Sequence, residues 1–317
     1  MAYPNIQYLQ RHQIDTGKWD RCISHAANGL LYGYSFYLDY MADAWDALVL
    51  GDYEAVMPLT WRKKYGIKYL CQPFTTAHLG VFSGRPVDKQ LMETFISSIP
   101  GIFKLIDIDL NEGNNVLDGP AITQRRNYVL PLKSPYSTLY ENYNRHARRK
   151  LRKAAEAGLQ PAEGIAIEKI TELSYQMMAE KDHVPMQAYE KFISLFKNIK
   201  PHVEACNTMA AVDRAGNIIA SDAYIVHKQR VYSLLAGNRP EAYECGGFYF
   251  VLDNLIKKYA GSGYLFDFEG SDVPGIAFVF ECLGGQLNWY PHLAINKLPP
   301  VVRWLKRSPY ERRSGTE

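Results

Sequence analysis

The sequence predicts a mixed α/β fold arranged as two tandem domains joined by a helix. Three observations lead there. The chain has 317 residues, and at roughly 150 residues per domain that length accommodates two. One succession of helices, a two-strand hairpin, a further strand, a helix and a strand occurs twice along it, a weak repeat of structure without obvious identity. The 23 Tyr and 13 Phe favour strands and pocket walls over long bare helices. Mixed sheets with flanking helices, repeated, argue for two layered α/β domains rather than one doubly wound sheet.

In the first half, a short strand is expected from Ile6 to Leu9. A helix follows from Asp15 to about Ala27, with Asp15 and Thr16 as caps, then a helical turn or two from Ser35 to Met41. An apolar run from Ala47 to Leu50, a Gly51-Asp52 turn and alternation from Tyr53 to Leu59 make a hairpin. Helical spacing from Val87 to Ile99 and strands at Phe103 to Leu110 and Asn127 to Leu132 complete it. Pro131 to Pro135 breaks the pattern, so the domains are expected at 1–133 and 134–317.

The second half opens with one long helix, Tyr136 to Gly158, a glycine being a natural helix terminator. Helices are expected from Thr171 to Lys181 and from Met186 to Asn198. A hairpin turns at Arg214 to Asn217, and Tyr232 to Ala236 adds a strand. Gly247 to Tyr259 is an amphipathic helix with Phe248, Leu252, Leu255, Ile256 and Tyr259 on one side. YLFDFEG reads as a strand, Pro274 to Leu283 as a helix and Leu287 to Ile295 as the last strand.

Composition narrows the function. Hydrophobic residues make up 47% and charged residues 22%, ordinary for a globular core. Lys+Arg minus Asp+Glu is 36 − 33 = +3, too little to argue for nucleic acid or membrane from overall charge. The five cysteines form no CxxC pair and are odd in number, which fits reduced thiols and a cytoplasmic location. The first residues carry no signal-type apolar run, and no segment approaches the ~20 apolar residues of a membrane span. There is no HxxxH or HExxH pair for a metal and no GxSxG elbow for a serine hydrolase.

Three features carry chemistry. Gly246-Gly247 precedes a helix whose free N–H groups and dipole suit a pyrophosphate; the plainer reading is a flexible loop. Asp267 and Glu269, two apart on a strand, point to one face, where a carboxylate can deprotonate or bind an amine; the plainer reading is a solvated strand end, with Ser271 or Asp272 capping the next helix. Arg145, Arg148, Arg149 and Arg152 share one side of the long helix opposite Leu139, Tyr143, Ala147, Leu151 and Ala154. That basic stripe suits the phosphates of a polyanion, although a solvated helix face is the common fate of such charge. Asp222, inside an otherwise apolar strand, is either at a pocket or hydrogen-bonded within the fold. Cys245, beside a helix start, is more often a small buried thiol.

The order MAAVDRAGNIIASDAYIV, VYSLLAGN, Gly246-Gly247, GYLFDFEGS, VPGIAFVFECLGG, preceded by NRHARRKLRKAAEAGL, resembles the C-terminal domain of FemAB-like proteins. The resemblance covers about residues 136–295 well and 30–132 in outline. It implies two tandem GNAT-like domains and acyl or aminoacyl transfer onto an amine, with acyl-coenzyme A or aminoacyl-tRNA as donor. Peptidoglycan-bridge ligases carry a Lys where GIAFVFECLGG has none. The usual coenzyme A loop, Q/R-x-x-G-x-G/A, is not spelled by NRPEAYECGG. The expected donor-binding residues are Gly246, Gly247, Tyr243 and Leu234. Glu269 or Asp267 is expected to act on the amine, and Tyr232 or Tyr224 to protonate the leaving group. A small-molecule amine is the expected acceptor, with no metal. The alternatives are a catalytically inactive double-domain scaffold that binds a ligand or protein, and a tRNA-dependent ligase that the basic helix favours and the missing Lys disfavours.

Overall fold

The computed structural model describes residues 6–178, 184–270 and 272–298. The end of the helix expected to reach Lys181, the neighbouring Asp182 and His183, and the Ser271 cap lie outside the described residues. In chain order come β1 (Ile6–Leu9), α1 (Thr16–His25), α2 (Ser35–Met41), β2 (Trp45–Leu50), β3 (Ala55–Lys64), β4 (Ile67–Cys71), β5 (Phe82–Ser83), α3 (Lys89–Ser97), β6 (Phe103–Asp109) and β7 (Ile122–Pro131). Then follow α4 (Tyr136–Glu141), α5 (Arg145–Glu156), β8 (Gln160–Glu163), α6 (Ile167–Met178), α7 (Met186–Asn198), β9 (Ala205–Val212), β10 (Ile218–His227) and β11 (Arg230–Asn238). The chain ends its described part with α8 (Glu241–Cys245), α9 (Gly247–Tyr259), β12 (Leu265–Asp267), α10 (Pro274–Cys282) and β13 (Gln286–Asn296).

The chain divides into two compact units, one of residues 1–124 with 290–317 and one of residues 125–289. In the first, the strand order is β1-β2-β3-β4-β6-β13, with β5 beside β3. Pairing is antiparallel throughout except between β4 and β6. In the second, the order is β8-β9-β10-β11-β12-β7, again antiparallel except for one parallel pair, β11 with β12. Each parallel pair is bridged by a helix, α3 or α9, as parallel strands require. The same succession of pairings therefore occurs twice. The sixth position is filled differently: by β13, the last strand, in the first unit and by β7 in the second.

That difference accounts for the distance between these units and the expected domains of 1–133 and 134–317. The Pro131–Pro135 break marks the end of β7, which already belongs for most of its length to the second core. Nothing local in the sequence marks the return of residues 290–298 to the first unit.

Apolar periodicity explains each core. Leu91, Met92 and Phe95 of α3 meet Leu48, Met57, Phe103 and Ile106 from the strands of the first unit. In the second, Leu252, Leu255 and Ile256 of α9 pack with Tyr224, Val226, Val231 and Phe266. The long helix expected from Tyr136 to Gly158 is instead two helices. Asn144 sits between them with its side chain accepting from the Ala147 N–H at 2.9 Å, and an Asn there starts a new helix rather than continuing the old one. Its apolar side is nonetheless the expected one: Leu139, Tyr143, Ala147 and Ala154 are buried.

The corner between α8 and α9 is set by Gly246, whose φ of +80° is left-handed. A Cβ there would lie 2.4 Å from the Lys150 carbonyl oxygen, whereas at Gly66, φ +79°, nothing lies within 4 Å. Gly66→Ala is expected to cost roughly 1 kcal/mol, the price of the backbone conformation alone, and Gly246→Ala roughly 2–4 kcal/mol because the α5 contact must also open. Urea unfolding of the two variants measures the difference; equal losses would show that the corner is not tightly packed.

Candidate functional site

The parallel pairing of β11 with β12 is short. It joins Arg230 to Leu265, Val231 to Phe266 and Tyr232 to Asp267. There β12 ends, while β11 continues to Asn238. Beyond Tyr232, the edge of β11 that faces away from β10 has no strand partner among the described residues.

Local chemistry turns β12 aside at this point. Asp267 is fully buried. Its carboxylate meets Arg230 Nε at 3.2 Å and accepts from Asn127 Nδ2 at 3.1 Å and from the Glu269 N–H at 3.0 Å. A carboxylate that accepts from the N–H two residues ahead closes an Asx turn. Glu269 and Gly270 follow with left-handed φ values of +66° and +68°. A Cβ on Gly270 would lie 2.7 Å from the Arg126 carbonyl oxygen, so the turn presses on β7. Asp272 then stands 3.9 Å from Arg125 and 3.8 Å from Arg126. The expectation that Asp267 and Glu269 share a strand face is corrected here: the strand stops at Asp267, and Glu269 lies in the turn.

The other side of β11 is irregular at the same level. Ala223 of β10 faces Leu235, but the next residue, Tyr224, faces Ser233. Leu234 is therefore an extra residue, a β-bulge that twists the strand and takes one peptide out of the ladder. Beneath it lies Asp222, fully buried, accepting from Ser233 Oγ at 2.7 Å. Burial pushes the Asp222 carboxyl up to about 7, against the pull of the Ser233 hydroxyl and the Leu235 and Ala223 backbone. At the far end, Asn238 is buried and its Oδ1 has no hydrogen-bond partner among the described residues. Helix α6 packs closely on β11: a Cβ on Gly237 would meet the Ser174 nitrogen at 2.8 Å.

The expected site residues fall into three places. Tyr232, Leu234, Asp267 and Glu269 come together around the point where β11 and β12 part. Tyr232 is buried, with the Arg230 guanidinium 5.9 Å from its ring centre. Gly246 and Gly247 form the α8–α9 corner, and both have a packing reason to be glycine: Gly246 abuts Lys150, and a Cβ on Gly247 would lie 3.2 Å from Ala220 and Ile219. Tyr243 is exposed there, its carbonyl accepting from Lys150 Nζ. Arg145, Arg148, Arg149 and Arg152 are exposed on α5. Tyr224 belongs to the core beside α9; its hydroxyl accepts from Lys258 Nζ at 3.0 Å, and burial pushes it up to about 12.

Sequence reading missed a second polar cluster, in the first unit. His292 of β13 is buried, with Nδ1 at 2.8 Å from Asp109 and Nε2 at 3.3 Å from Asp107 on β6. The signal was present as two acids two apart in the strand FKLIDID; their histidine partner is 183 residues away from Asp109. A cleft of about 380 Å³ also lies in this unit, with Trp45 and Trp61 among its walls. Arg11 and Lys68 already cover those two rings, at 5.0 and 3.8 Å from their centres, and Asp39 and Asp43 are paired with Arg11 and Arg62. Its charges thus satisfy one another, and the opened edge of β11 is the better candidate.

No family model matches the sequence, and no curated protein matches it. Solved structures do. FemX aligns over 95% of this chain and 100% of its own length at 11% identity, with a TM-score of 0.63. A conserved protein of unknown function from Bacteroides thetaiotaomicron aligns over 92% and 99% at 9% identity and TM-score 0.55. L-PGS from Bacillus licheniformis aligns over 92% and 94% at 9% identity and TM-score 0.53. At such identities the likeness is one of fold, and the chain has the FemAB-like, GNAT-type fold that its sequence resembles.

Asp222 yields a pH test. Its folded value of about 7 lies above the ordinary ~3.9. The folded state therefore binds more protons than the unfolded one between about pH 4 and 7, and its contribution to stability is lost as pH rises across that window. Asp222→Asn keeps an acceptor for Ser233 and removes the titration. The stability of the wild type relative to this variant is expected to fall by up to about 4 kcal/mol from pH 4 to pH 7, as read by denaturant unfolding. A difference that stays flat with pH rejects the assignment.

Proposed function

We propose that this chain is an N-acyltransferase of two GNAT-like domains, taking an acyl or aminoacyl group from an activated donor and placing it on an amine. The observation that carries this reading is the parting of β11 from β12 beside the bulge at Leu234. A strand edge with free peptide groups can pair with an amide-containing chain as another strand would. The bulge takes one peptide out of the ladder, and a backbone N–H placed at a polarised carbonyl stabilises the negative charge that develops during acyl transfer. The matching pair in the first unit, β3 with β4, has no register shift, so the donor is assigned to the second unit.

Acyl-coenzyme A fits this edge in part. The β11 edge that no strand covers beyond Tyr232 and the unpartnered Asn238 oxygen suit the amides of its arm. At the glycine pair expected to hold its phosphates, a Cβ would meet α5 at Gly246 and β10 at Gly247, a packing reason for glycine that needs no ligand, and we assign no phosphate there. In the reaction, the amine nitrogen bonds to the acyl carbon and the bond to the leaving group breaks. One proton leaves the nitrogen and one reaches the leaving group. Glu269, half-buried just past the end of β12, is assigned the first proton. Asp267 is held by Arg230 and Asn127 and serves as the anchor of that turn. Tyr232, paired with Asp267 across the strands, is assigned the second proton. Aminoacyl-tRNA is the second donor to consider, because the exposed arginines of α5 suit a polyanion.

Two measurements test the proposal. Acyl-coenzyme A at 100 times its dissociation constant adds about 2.7 kcal/mol of stability, seen as a raised melting temperature; an aminoacyl-tRNA donor gives salt-sensitive binding instead. Neither response identifies an inactive scaffold. With a working donor, Glu269→Gln is expected to slow transfer by roughly 10²–10⁴ while leaving donor affinity unchanged. Full activity in that variant ends the assignment of Glu269.

A further inference from the structure

The segment after Asp272 is unusual for a protein surface. Val273, Pro274, Gly275 and Ile276 are all exposed in succession, and after one buried alanine Phe278 is exposed again. The three large side chains leave 48%, 41% and 46% of their surface in solvent, in the order Val273, Ile276 and Phe278. No charged residue occurs from Pro274 to Phe280. A run of three or four exposed apolar residues is disfavoured on a folded surface unless it meets something. The run covers the N-cap and first turn of α10.

Beside it lies the basic face of α5. The Phe278 ring meets the His146 ring edge-on at 5.2 Å between centres, and His146 Nδ1 is 3.2 Å from the Arg149 guanidinium. From there Arg145, Arg148, Arg149, Arg152 and Lys153 are exposed along α5. Two acids, Glu141 and Glu156, are exposed at the ends of this stretch, before α5 begins and at its last residue. Both α5 and α10 belong to the second unit.

We infer that this face docks on an anionic lipid bilayer, with Val273, Ile276 and Phe278 entering the boundary between headgroups and acyl chains and the arginines of α5 on the lipid phosphates. Exposed apolar side chains flanked by cations match a surface that is apolar within and negative outside. A nucleic acid accounts for the arginines but leaves the aliphatic Val273 and Ile276 in water. The inference is independent of the donor assigned to β11.

The test is co-sedimentation of the full chain with vesicles of phosphatidylcholine alone or mixed with phosphatidylglycerol, at low and raised salt, with transfer RNA as a separate probe. The wild type is expected to bind the mixed vesicles, at least about tenfold better than neutral ones, and to release them as salt rises. Ile276→Ser with Phe278→Ser, and separately Arg145→Glu with Arg149→Glu, are each expected to reduce that binding by about tenfold or more with the melting temperature kept. No binding of the wild type to mixed vesicles overturns the inference without any variant. So does undiminished binding in the folded serine variant, or binding to transfer RNA with none to vesicles.

Discussion

One buried carboxylate ties the candidate site together. Asp267 receives Arg230 from β11, Asn127 from β7 and the backbone N–H of Glu269 from the turn that follows. Three segments of the second unit are thus held by one side chain that water does not reach. Removing either charge would leave the other buried without compensation, which typically costs 3–5 kcal/mol. Such pairs contribute less to net stability than to choosing one arrangement over others, and the arrangement chosen here is the parting of two parallel strands. A sheet that continued to pair β12 with β11 beyond Tyr232 would need Glu269 extended. The Asx turn on Asp267 and the close approach of Gly270 to β7 prevent it.

Much of this fold is legible from local pattern. The hairpins are announced by alternation and by turn residues such as Gly51-Asp52, and α9 and α3 by apolar spacing. The break between α4 and α5 was also written locally, in the Asn142–Asn144 segment, but a good helical wheel on both sides concealed it. The unit boundary was not legible, because β7 and β13 each take the sixth position of a sheet and strand pairing at long range leaves no local mark. Phosphate-binding glycines and packing glycines look alike in sequence. The Lys150 carbonyl, 2.4 Å from where a Cβ would be, gives Gly246 a packing reason that the sequence does not record. The bulge at Leu234 was invisible for a similar reason: it is a mismatch between two strands, and neither strand alone records it. Asp222 did signal itself, as a single acid in IIASDAYIV, and its burial bears out the alternative that it is hydrogen-bonded within the fold.

Asp222 and Asp267 are both fully buried, yet their neighbours differ in kind. Asp267 faces a guanidinium. Asp222 faces a hydroxyl and backbone N–H groups, which are neutral and compensate a buried negative charge only in part. Desolvation therefore dominates at Asp222, and the group gains or loses its proton near neutral pH. One carboxylate fixes the turn after β12; the other lies under the bulge of β11 with Ser233 between it and the opened edge. Any change in the charge of Asp222 is felt by the Ser233 hydroxyl, whose proton it holds, and by the Leu235 and Ala223 backbone beside it. The edge of β11 is thus bounded by two buried carboxylates of different surroundings, one that anchors the turn after β12 and one that burial without a cation brings to about 7.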